Sequence, residues 1–255
     1  MLNAVRQDLL HSRGMGTASE VVVGGCSAGG MAVYLHCDSW ASEIATVNSN
    51  THTVCLADSG WFPLVPDSAG FPSTWFNGVW EGGFNFHNSS AALHPECLAH
   101  FNATMQWQCV MPEISASYTR TPLFIFQSRY DSFQIFNMER CIPMPPDPKS
   151  PCSDGVVTLW GDLVRDGVVG YLKGPLGSAA GSAAFVDSCY HHCGTWADFD
   201  EIRSWGNGNV TGSEAFGLWH AKPRAALYEQ DTAYPCLGAL CCGAHGPDGI
   251  AAEIL

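Results

Sequence analysis

A glycine-rich segment near the start of the chain, GCSAGG, constrains the fold more than any other feature. It contains the pattern G-x-S-x-G around Ser27, between the β-branched run at 20–23 and a stretch with helical spacing over 31–40. A serine in a sharp turn between a strand and a helix exposes its hydroxyl at the end of a sheet. Gly25 and Gly29 are both expected to keep Cβ atoms out of this turn. A glycine-rich turn with a bystander serine would share these letters, but the flanking strand and helix favour a nucleophile.

Runs of apolar residues elsewhere in the chain predict a mostly parallel sheet flanked by helices. Strands are predicted over residues 20–23, 51–58, 122–127 and 184–189, with 184–189 as the final strand. Helices are predicted over 2–12, 31–40 and 156–172, an irregular aromatic segment over 61–110, and loops over 139–153 and from 219 onwards. Strands separated by helices are typical of the α/β class, and we expect a single domain over residues 1–255.

The charge balance excludes some classes of partner. The 11 Lys and Arg residues are outnumbered by 24 Asp and Glu residues, which gives a formal net charge of −13. Nucleic-acid binding requires clustered basic side chains, so we expect no nucleic-acid partner. No run of about 18 apolar residues is present, and no membrane-spanning helix is predicted. We also expect a monomer, because the chain has no heptad repeat.

The cysteine content indicates an oxidising compartment. Twelve cysteines are scattered along the 255 residues, which predicts disulfide-tied loops. Three N-x-[ST] sequons, at Asn88, Asn102 and Asn209, point to the same secretory origin. Residues 1–13, however, lack the basic start and apolar centre of a signal peptide. Either the protein is cytosolic or Met1 is not its natural start, and we favour the second interpretation and a secreted protein.

A serine nucleophile needs a histidine base and usually a carboxylate that orients the base. In α/β-hydrolases these residues follow in the order serine, acid, histidine. Asp131 comes shortly after the strand at 122–127, although an aspartate there could simply cap the following helix. His191 and His192 both follow the strand at 184–189. Either could be the base, a surface residue or a metal ligand.

The residues around these candidates leave several roles open. Cys189 and Cys193 flank the two histidines, and without a second matching pair they indicate disulfides rather than zinc. Cys26 precedes the nucleophile and is expected to be a small buried apolar residue. Asp58 could orient the pocket or cap a turn, with equal support for each role. The aromatic residues of 61–86 are expected to form a packed core more readily than a carbohydrate-binding cleft.

Several motifs occur in an order that resembles the plant-type pectin acetylesterases, relatives of the Notum carboxylesterases. They are GCSAGG at 25–30, HCD at 36–38, LADSGWF at 56–62, TPLFI at 121–125, YDSFQI at 130–135, SCYHHC at 188–193 and YPC at 234–236. The resemblance extends from about residue 2 to 242 and implies an α/β-hydrolase-like fold. It places the nucleophile on Ser27 and the acid on Asp131. The family histidine lies in an S-C-F-x-H-C type motif, which makes His192 the base and puts His191 at a variable position.

The resemblance implies acyl transfer from an acetylated cell-wall polysaccharide, pectin, outside the cell. His192 would take the Ser27 proton, Asp131 would orient the imidazole, and the Ala28 backbone amide would bind the oxyanion. No metal or organic cofactor is implied. Two alternatives remain: a Notum-like esterase acting on a fatty acyl group of a protein, and a catalytically silent glycan-binding protein.

The chain departs from the family at its start. Family members carry an upstream Gly-Gly-Gly-Trp-Cys type segment that supplies further oxyanion-hole amides, and this chain begins after that point. We therefore expect an N-terminally truncated member whose sheet lacks its first strands and exposes an edge. We also expect that a cysteine with an upstream partner would be left unpaired.

Overall fold

The computed structural model describes residues 2–65, 73–139, 153–197, 199–204, 209–230 and 242. Its strands are β1 (Glu20–Cys26), β2 (His52–Asp58), β3 (Leu123–Ser128), β4 (Ala183–Asp187) and β5 (Ala226–Glu229). Its helices are α1 (Leu2–His11), α2 (Ala28–Val47), α3 (Ser73–His87), α4 (Pro95–His100), α5 (Pro112–Ser115), α6 (Ser132–Glu139), α7 (Asp154–Lys173), α8 (Pro175–Ala180), α9 (Gly194–Ala197) and α10 (Gly212–Ala221). None of the described helices is both long and apolar enough to cross a bilayer.

The five strands form one sheet in the order β1-β2-β3-β4-β5, and every neighbouring pair is parallel. This confirms the predicted α/β class with a parallel sheet and flanking helices. All carboxyl ends of the strands therefore lie along one edge, where the loops that follow them meet. Among the described residues β1 is an outer strand of the sheet, and Val22 in it is 43% exposed.

Helices cover both faces of the sheet. Strand β3 is buried at all six positions, and its alternate side chains enter different cores. Leu123 and Ile125 pack with residues of α2 and α7, whereas Phe124 and Phe126 pack with residues of α10. Because successive side chains of a strand point to opposite faces, an uninterrupted apolar run is what a doubly covered strand requires.

Local signals explain where several helices begin and end. The Thr211 hydroxyl accepts a hydrogen bond from the Glu214 amide, and the Glu214 carboxylate accepts one from the Thr211 amide, which forms a capping box for α10. The Ser153 side chain caps α7 by accepting from the Val156 amide. Gly181 has φ of 71° at the end of α8, where a left-handed residue lets the chain turn into β4.

The structure also differs from the predictions in three places. Helix α2 begins at Ala28 and ends at Val47, so it is longer at both ends than the predicted segment. The segment predicted as irregular contains α3 and α4. Strand β5 follows the strand predicted to be last, and its four residues are all only half-buried, which leaves a weak apolar signal. The predicted loop at 139–153 lies almost wholly outside the described residues.

Four disulfides join the eight described cysteines, which confirms the prediction of disulfide-tied loops. The pairs are Cys26–Cys193, Cys37–Cys55, Cys97–Cys109 and Cys189–Cys242. The expected unpaired cysteine is not among these eight, and the other four cysteines lie outside the described residues. The prediction that Cys26 is a buried apolar residue is wrong, because its sulfur bonds to the loop that carries the two histidines.

Candidate active site

Ser27 occupies the turn between β1 and α2, as the sequence predicts. It has φ of 60° and ψ of −122°, an unusual conformation for a residue with a side chain. Its amide donates to the Asp58 carbonyl at 2.9 Å, and its carbonyl accepts from the Met31 amide at 2.9 Å. Ala28 is exposed and begins α2, and amides in the first turn of a helix have no intrahelical acceptor. The Ala28 amide is therefore suited to an anionic oxygen beside Ser27.

Close backbone packing around this turn requires two glycines. A Cβ atom on Gly25 would lie 2.6 Å from the Gly29 carbonyl carbon, and one on Gly30 would lie 2.4 Å from the Asp58 oxygen. A Cβ on Gly29 would meet nothing within 4 Å. The prediction for Gly25 is confirmed and that for Gly29 is wrong, because Gly29 faces open space. The second crowded position is Gly30.

Asp131 and His192 are in direct contact. The Asp131 Oδ2 atom lies 2.7 Å from His192 Nδ1, and Asp131 is fully buried. The other carboxylate oxygen accepts from the Gln134 amide at 2.9 Å, so Asp131 also caps α6. The helix cap considered for this aspartate is therefore present, and the same side chain contacts His192. A carboxylate on Nδ1 favours the tautomer whose Nε2 can accept a proton.

The segment 188–195 carries His192 back across the carboxyl edge of the sheet. After β4, the His191 carbonyl accepts from the Ser132 amide, next to the end of β3. The Cys193 amide then donates to the Ser59 hydroxyl, at the end of β2. Finally, Cys193 bonds to Cys26, at the end of β1. This path brings the residue that follows His192 into covalent contact with the residue that precedes Ser27.

The turn that carries Asp131 is fixed by buried hydrogen bonds. The Ser128 hydroxyl accepts from the Tyr130 amide and donates to the Cys189 carbonyl. The Arg129 amide donates to the Asp187 carbonyl at 2.9 Å. These bonds tie the end of β3 to the end of β4, which sets Asp131 against the histidine segment.

The second histidine forms a pair of its own. His191 Nε2 lies 3.0 and 3.1 Å from the two carboxylate oxygens of Asp187, which is fully buried at the end of β4. Asp187 was not singled out in the sequence, although an acidic residue directly after an apolar strand was the available signal. The two adjacent histidines thus contact different carboxylates through different ring nitrogens.

Asp58 is a third buried carboxylate at this edge, with 1% exposure. One oxygen accepts from the Ser59 hydroxyl at 2.8 Å, and the other accepts from the amide and hydroxyl of Thr195. Burial raises the pKa of Asp58, and the hydrogen bonds from Thr195 and Ser59 partly oppose that increase. Thr195 and Ser59 were missed in the sequence, since a single hydroxyl beside a motif carries no distinctive pattern.

Aromatic residues near the site divide into two groups. Trp61 and Phe62 are 0% and 3% exposed and belong to the main core, in agreement with the packed interpretation. Phe133 is 45% exposed and stacks on the His192 ring, with centroids 5.2 Å apart.

Burial and the charge of Asp131 raise the pKa of Tyr190 to about 12, so its phenol stays protonated at neutral pH.

Cys26, His192 and Cys193 place one side-chain sulfur or nitrogen atom each within 4.8 Å of one another. The two sulfurs are joined in a disulfide, and a disulfide supplies no thiolate to a metal ion. These three residues are therefore better suited to fixing the position of His192 than to binding a metal ion.

Comparisons with known proteins identify the family of the chain. A family profile described as Pectinacetylesterase matches residues 1–241. Pectin acetylesterase 5 of Arabidopsis thaliana is 28% identical over 244 residues, which cover 90% of this chain and 53% of that protein. Palmitoleoyl-protein carboxylesterase notum2 of Xenopus laevis is 27% identical over 141 residues, which cover 53% of this chain and 28% of that protein.

Among solved structures, the fold is similar to that of the Wnt deacylase Notum from Drosophila. The TM-score is 0.71 at 22% identity, and the match covers 94% of this chain and 65% of that one. The chain spans about half the length of the Arabidopsis relative. Because the family profile covers nearly all of the sequence, the chain belongs to the pectinacetylesterase family.

Proposed function

We propose that the protein is a serine carboxylesterase in which Ser27 is the nucleophile, His192 the base and Asp131 the orienting acid. The observation that carries the proposal is the 2.7 Å contact between Asp131 Oδ2 and His192 Nδ1. The histidine lies in a segment that a disulfide ties to the residue before Ser27. The strained turn at Ser27 supports a functional role, because such conformations cluster at active sites.

In the proposed reaction, His192 Nε2 takes the Ser27 proton as Ser27 Oγ bonds to the ester carbonyl carbon. The carbonyl oxygen becomes an oxyanion and accepts a hydrogen bond from the Ala28 amide. The carbon–oxygen bond to the alcohol then breaks, and the alcohol oxygen takes the proton from His192. Water repeats these steps on the acyl-enzyme, which releases the acid and returns the proton to Ser27. Asp131 orients the imidazole ring and stabilises the imidazolium.

The proposed substrate is an acetyl ester on a cell-wall polysaccharide such as pectin. Membership of the family and the names of the Arabidopsis relatives support this choice. The four disulfides support passage through an oxidising compartment and action outside the cell. We also propose that the protein acts as a monomer with no nucleic-acid partner, in line with its net charge of −13.

The test is acetate release from acetylated pectin and from a small chromogenic acetyl ester, with Ser27→Ala as the control. We expect release by the wild-type protein and loss on the order of 10⁴-fold or more in the variant. Equal activity of the two proteins would overturn the assignment of Ser27. Rates on acetyl and hexadecanoyl esters decide the acyl group, and faster hydrolysis of the long-chain ester would overturn the acetyl proposal.

A further inference from the structure

The proposed reaction leaves Asp58 without a role, although it contacts both sides of the site. Its backbone carbonyl holds the Ser27 amide at 2.9 Å. Its side chain holds the amide of Thr195 at 2.9 Å and also the Thr195 hydroxyl. A single residue at the end of β2 therefore binds the nucleophile turn through its main chain and the histidine segment through its carboxylate.

Ser59 extends this connection to the residue directly after His192. Its hydroxyl donates to Asp58 Oδ1 at 2.8 Å and accepts from the Cys193 amide at 2.9 Å. Ser59 and Thr195 are thus the two hydroxyl donors to the carboxylate, and together they fix the backbone on the far side of His192. A rotated Ser59 or Thr195 side chain would release that backbone.

The setting of Asp58 is costly for a carboxylate that serves stability alone. It is 1% exposed, and in the described part of the chain it forms no ion pair with a lysine or arginine. Hydrogen bonds from Ser59 and Thr195 compensate for part of the lost hydration. Because a buried charge contributes little net free energy of unfolding, its retention at this position supports a role in geometry.

Backbone strain is concentrated around the same side chain. Five described non-glycine residues have positive φ, and three of them are Ser27 at 60°, Ser59 at 48° and Cys193 at 63°. Asp58 bonds to Ser27 through its carbonyl and to Ser59 through its carboxylate, and Ser59 in turn bonds to Cys193. Such conformations persist only where surrounding contacts enforce them.

We infer that Asp58 is a positioning residue that sets the separation between the Ser27 nucleophile and the His192 base. The inference rests on the proposed function, since it assigns Asp58 a part in that reaction. Asp58 needs no contact with the substrate, because it acts through the amides of Ser27, Cys193 and Thr195. A displacement of about 1 Å between reacting groups can cost about 100-fold in rate.

The test compares two isosteric substitutions, one of the half-buried Thr195 and one of the buried Thr119. Thr195→Val removes one hydroxyl donor to Asp58 and keeps the Thr195 amide. Thr119→Val is the matched control, because Thr119 is fully buried and its hydroxyl donates to the Tyr34 carbonyl at 2.9 Å. Thr119 lies before β3, at the opposite edge of the sheet. We expect Thr195→Val to lower kcat about 10- to 100-fold with KM changed less than about 2-fold, and Thr119→Val to leave both unchanged.

Two further variants keep the inference testable if one protein fails to fold. Ser59→Ala removes the link to the Cys193 amide, and we expect a loss of kcat similar to that of Thr195→Val. Asp58→Asn keeps the shape of the side chain but turns one acceptor into a donor, and we expect a larger loss. Equal kcat values for Thr195→Val, Ser59→Ala and the Thr119→Val control would overturn the inference.

The outcomes separate this inference from the proposed function. Wild-type protein without Ser27-dependent hydrolysis would contradict the proposed function. Hydrolysis that depends on Ser27 but not on Thr195 or Ser59 would contradict only the role of Asp58. An NMR measurement gives a readout besides activity: the His192 Nδ1 proton bonded to Asp131 should shift in Thr195→Val and not in Thr119→Val. An unchanged resonance in both variants would overturn the positioning role.

Discussion

Two aspartate–histidine pairs lie side by side at the carboxyl edge of the sheet, and their geometries differ in one decisive respect. Asp131 contacts Nδ1 of His192, whereas Asp187 contacts Nε2 of His191. Both aspartates are fully buried at the ends of neighbouring strands. Of the two histidine side chains, that of His192 is the more exposed, at 18% against 10%. Both pairs consist of the same residue types, and they differ in the ring nitrogen that the aspartate contacts.

We propose on the basis of this difference that the two pairs have distinct roles. A carboxylate on Nδ1 leaves Nε2 to accept a proton from a serine, which is the arrangement that acyl transfer uses. In the other pair, both carboxylate oxygens of Asp187 contact Nε2 of His191. This contact fixes the His191 ring at the end of β4, which is consistent with a structural role in holding the loop. The Asp187 carboxylate also accepts from the Cys189 amide at 2.9 Å, which adds to its structural role.

We expect the largest difference in activity between variants of the two histidines. We predict that His192→Gln lowers kcat/KM for an acetyl ester on the order of 10⁴-fold or more, because the base is lost. His191→Gln should cost about 10-fold or less, since only the anchor changes. The measurement is steady-state kinetics on both variants, with folding checked by circular dichroism. Similar losses of kcat/KM in the two variants would contradict the distinct roles of the two pairs.

The two aspartates give the next comparison. Asp131→Asn should lower kcat about 10⁴-fold, because the amide favours the wrong imidazole tautomer. Asp187→Asn should act mainly on stability, by about 1–3 kcal/mol, because buried donors lose a charged acceptor. Urea unfolding and kinetics on both variants check this. A stability loss without a rate loss in Asp131→Asn would contradict the role of that residue.

A comparison of two disulfides tests whether the position of the segment 188–195 affects catalysis. Removing the Cys26–Cys193 bond by a double alanine substitution should lower kcat about 10- to 100-fold, because His192 loses its tie to the nucleophile turn. The control is the double alanine substitution at Cys97 and Cys109, a bond that joins α4 to a turn outside the site. That variant should keep its kcat. Equal kcat in the two double variants would show that the tie has no catalytic effect.

The smallest effect concerns the third buried carboxylate. Burial raises the pKa of Asp58 above its ordinary value of 3.8, so the folded state binds its proton more readily than the unfolded state. The charged form therefore disfavours folding at pH above the raised pKa, and this penalty disappears as the pH falls from there towards 3.8. The His191 ring faces this carboxylate and partly opposes the increase.

Asp58→Asn removes the titrating group, and unfolding free energies measured across this pH range test the sign. The stability of wild type relative to the variant should increase as the pH falls. A constant difference, or one that decreases, would contradict the raised pKa.

Much of the fold could be predicted from the sequence, because continuous apolar runs mark strands that are buried on both faces. The run before Asp131 is of this kind and became β3, which is buried at all six positions, whereas the run before Ser27 became the outer strand β1, which is only partly buried. Strand β5 could not be predicted in the same way, since half-buried residues give no clear period. The helices between residues 73 and 100 were hidden by aromatic residues and glycines that are poor helix formers.

The site could be predicted only in part. The order of Ser27, Asp131 and His192 follows from motifs, and the contact of Asp131 with His192 agrees with that order. The bond between Cys26 and Cys193 could not be derived, because twelve cysteines allow very many pairings. The connections through Asp58 were also hidden, because they depend on backbone amides from two segments far apart in the sequence, the turn at Ser27 and the segment 188–195.

The most direct test that Ser27 is the nucleophile and His192 its base is covalent labelling with a fluorophosphonate, followed by peptide mapping. We predict a single adduct on the peptide that contains Ser27, strong labelling of His191→Gln and almost none of His192→Gln. An adduct on a different serine, or equal labelling of the two histidine variants, would contradict it.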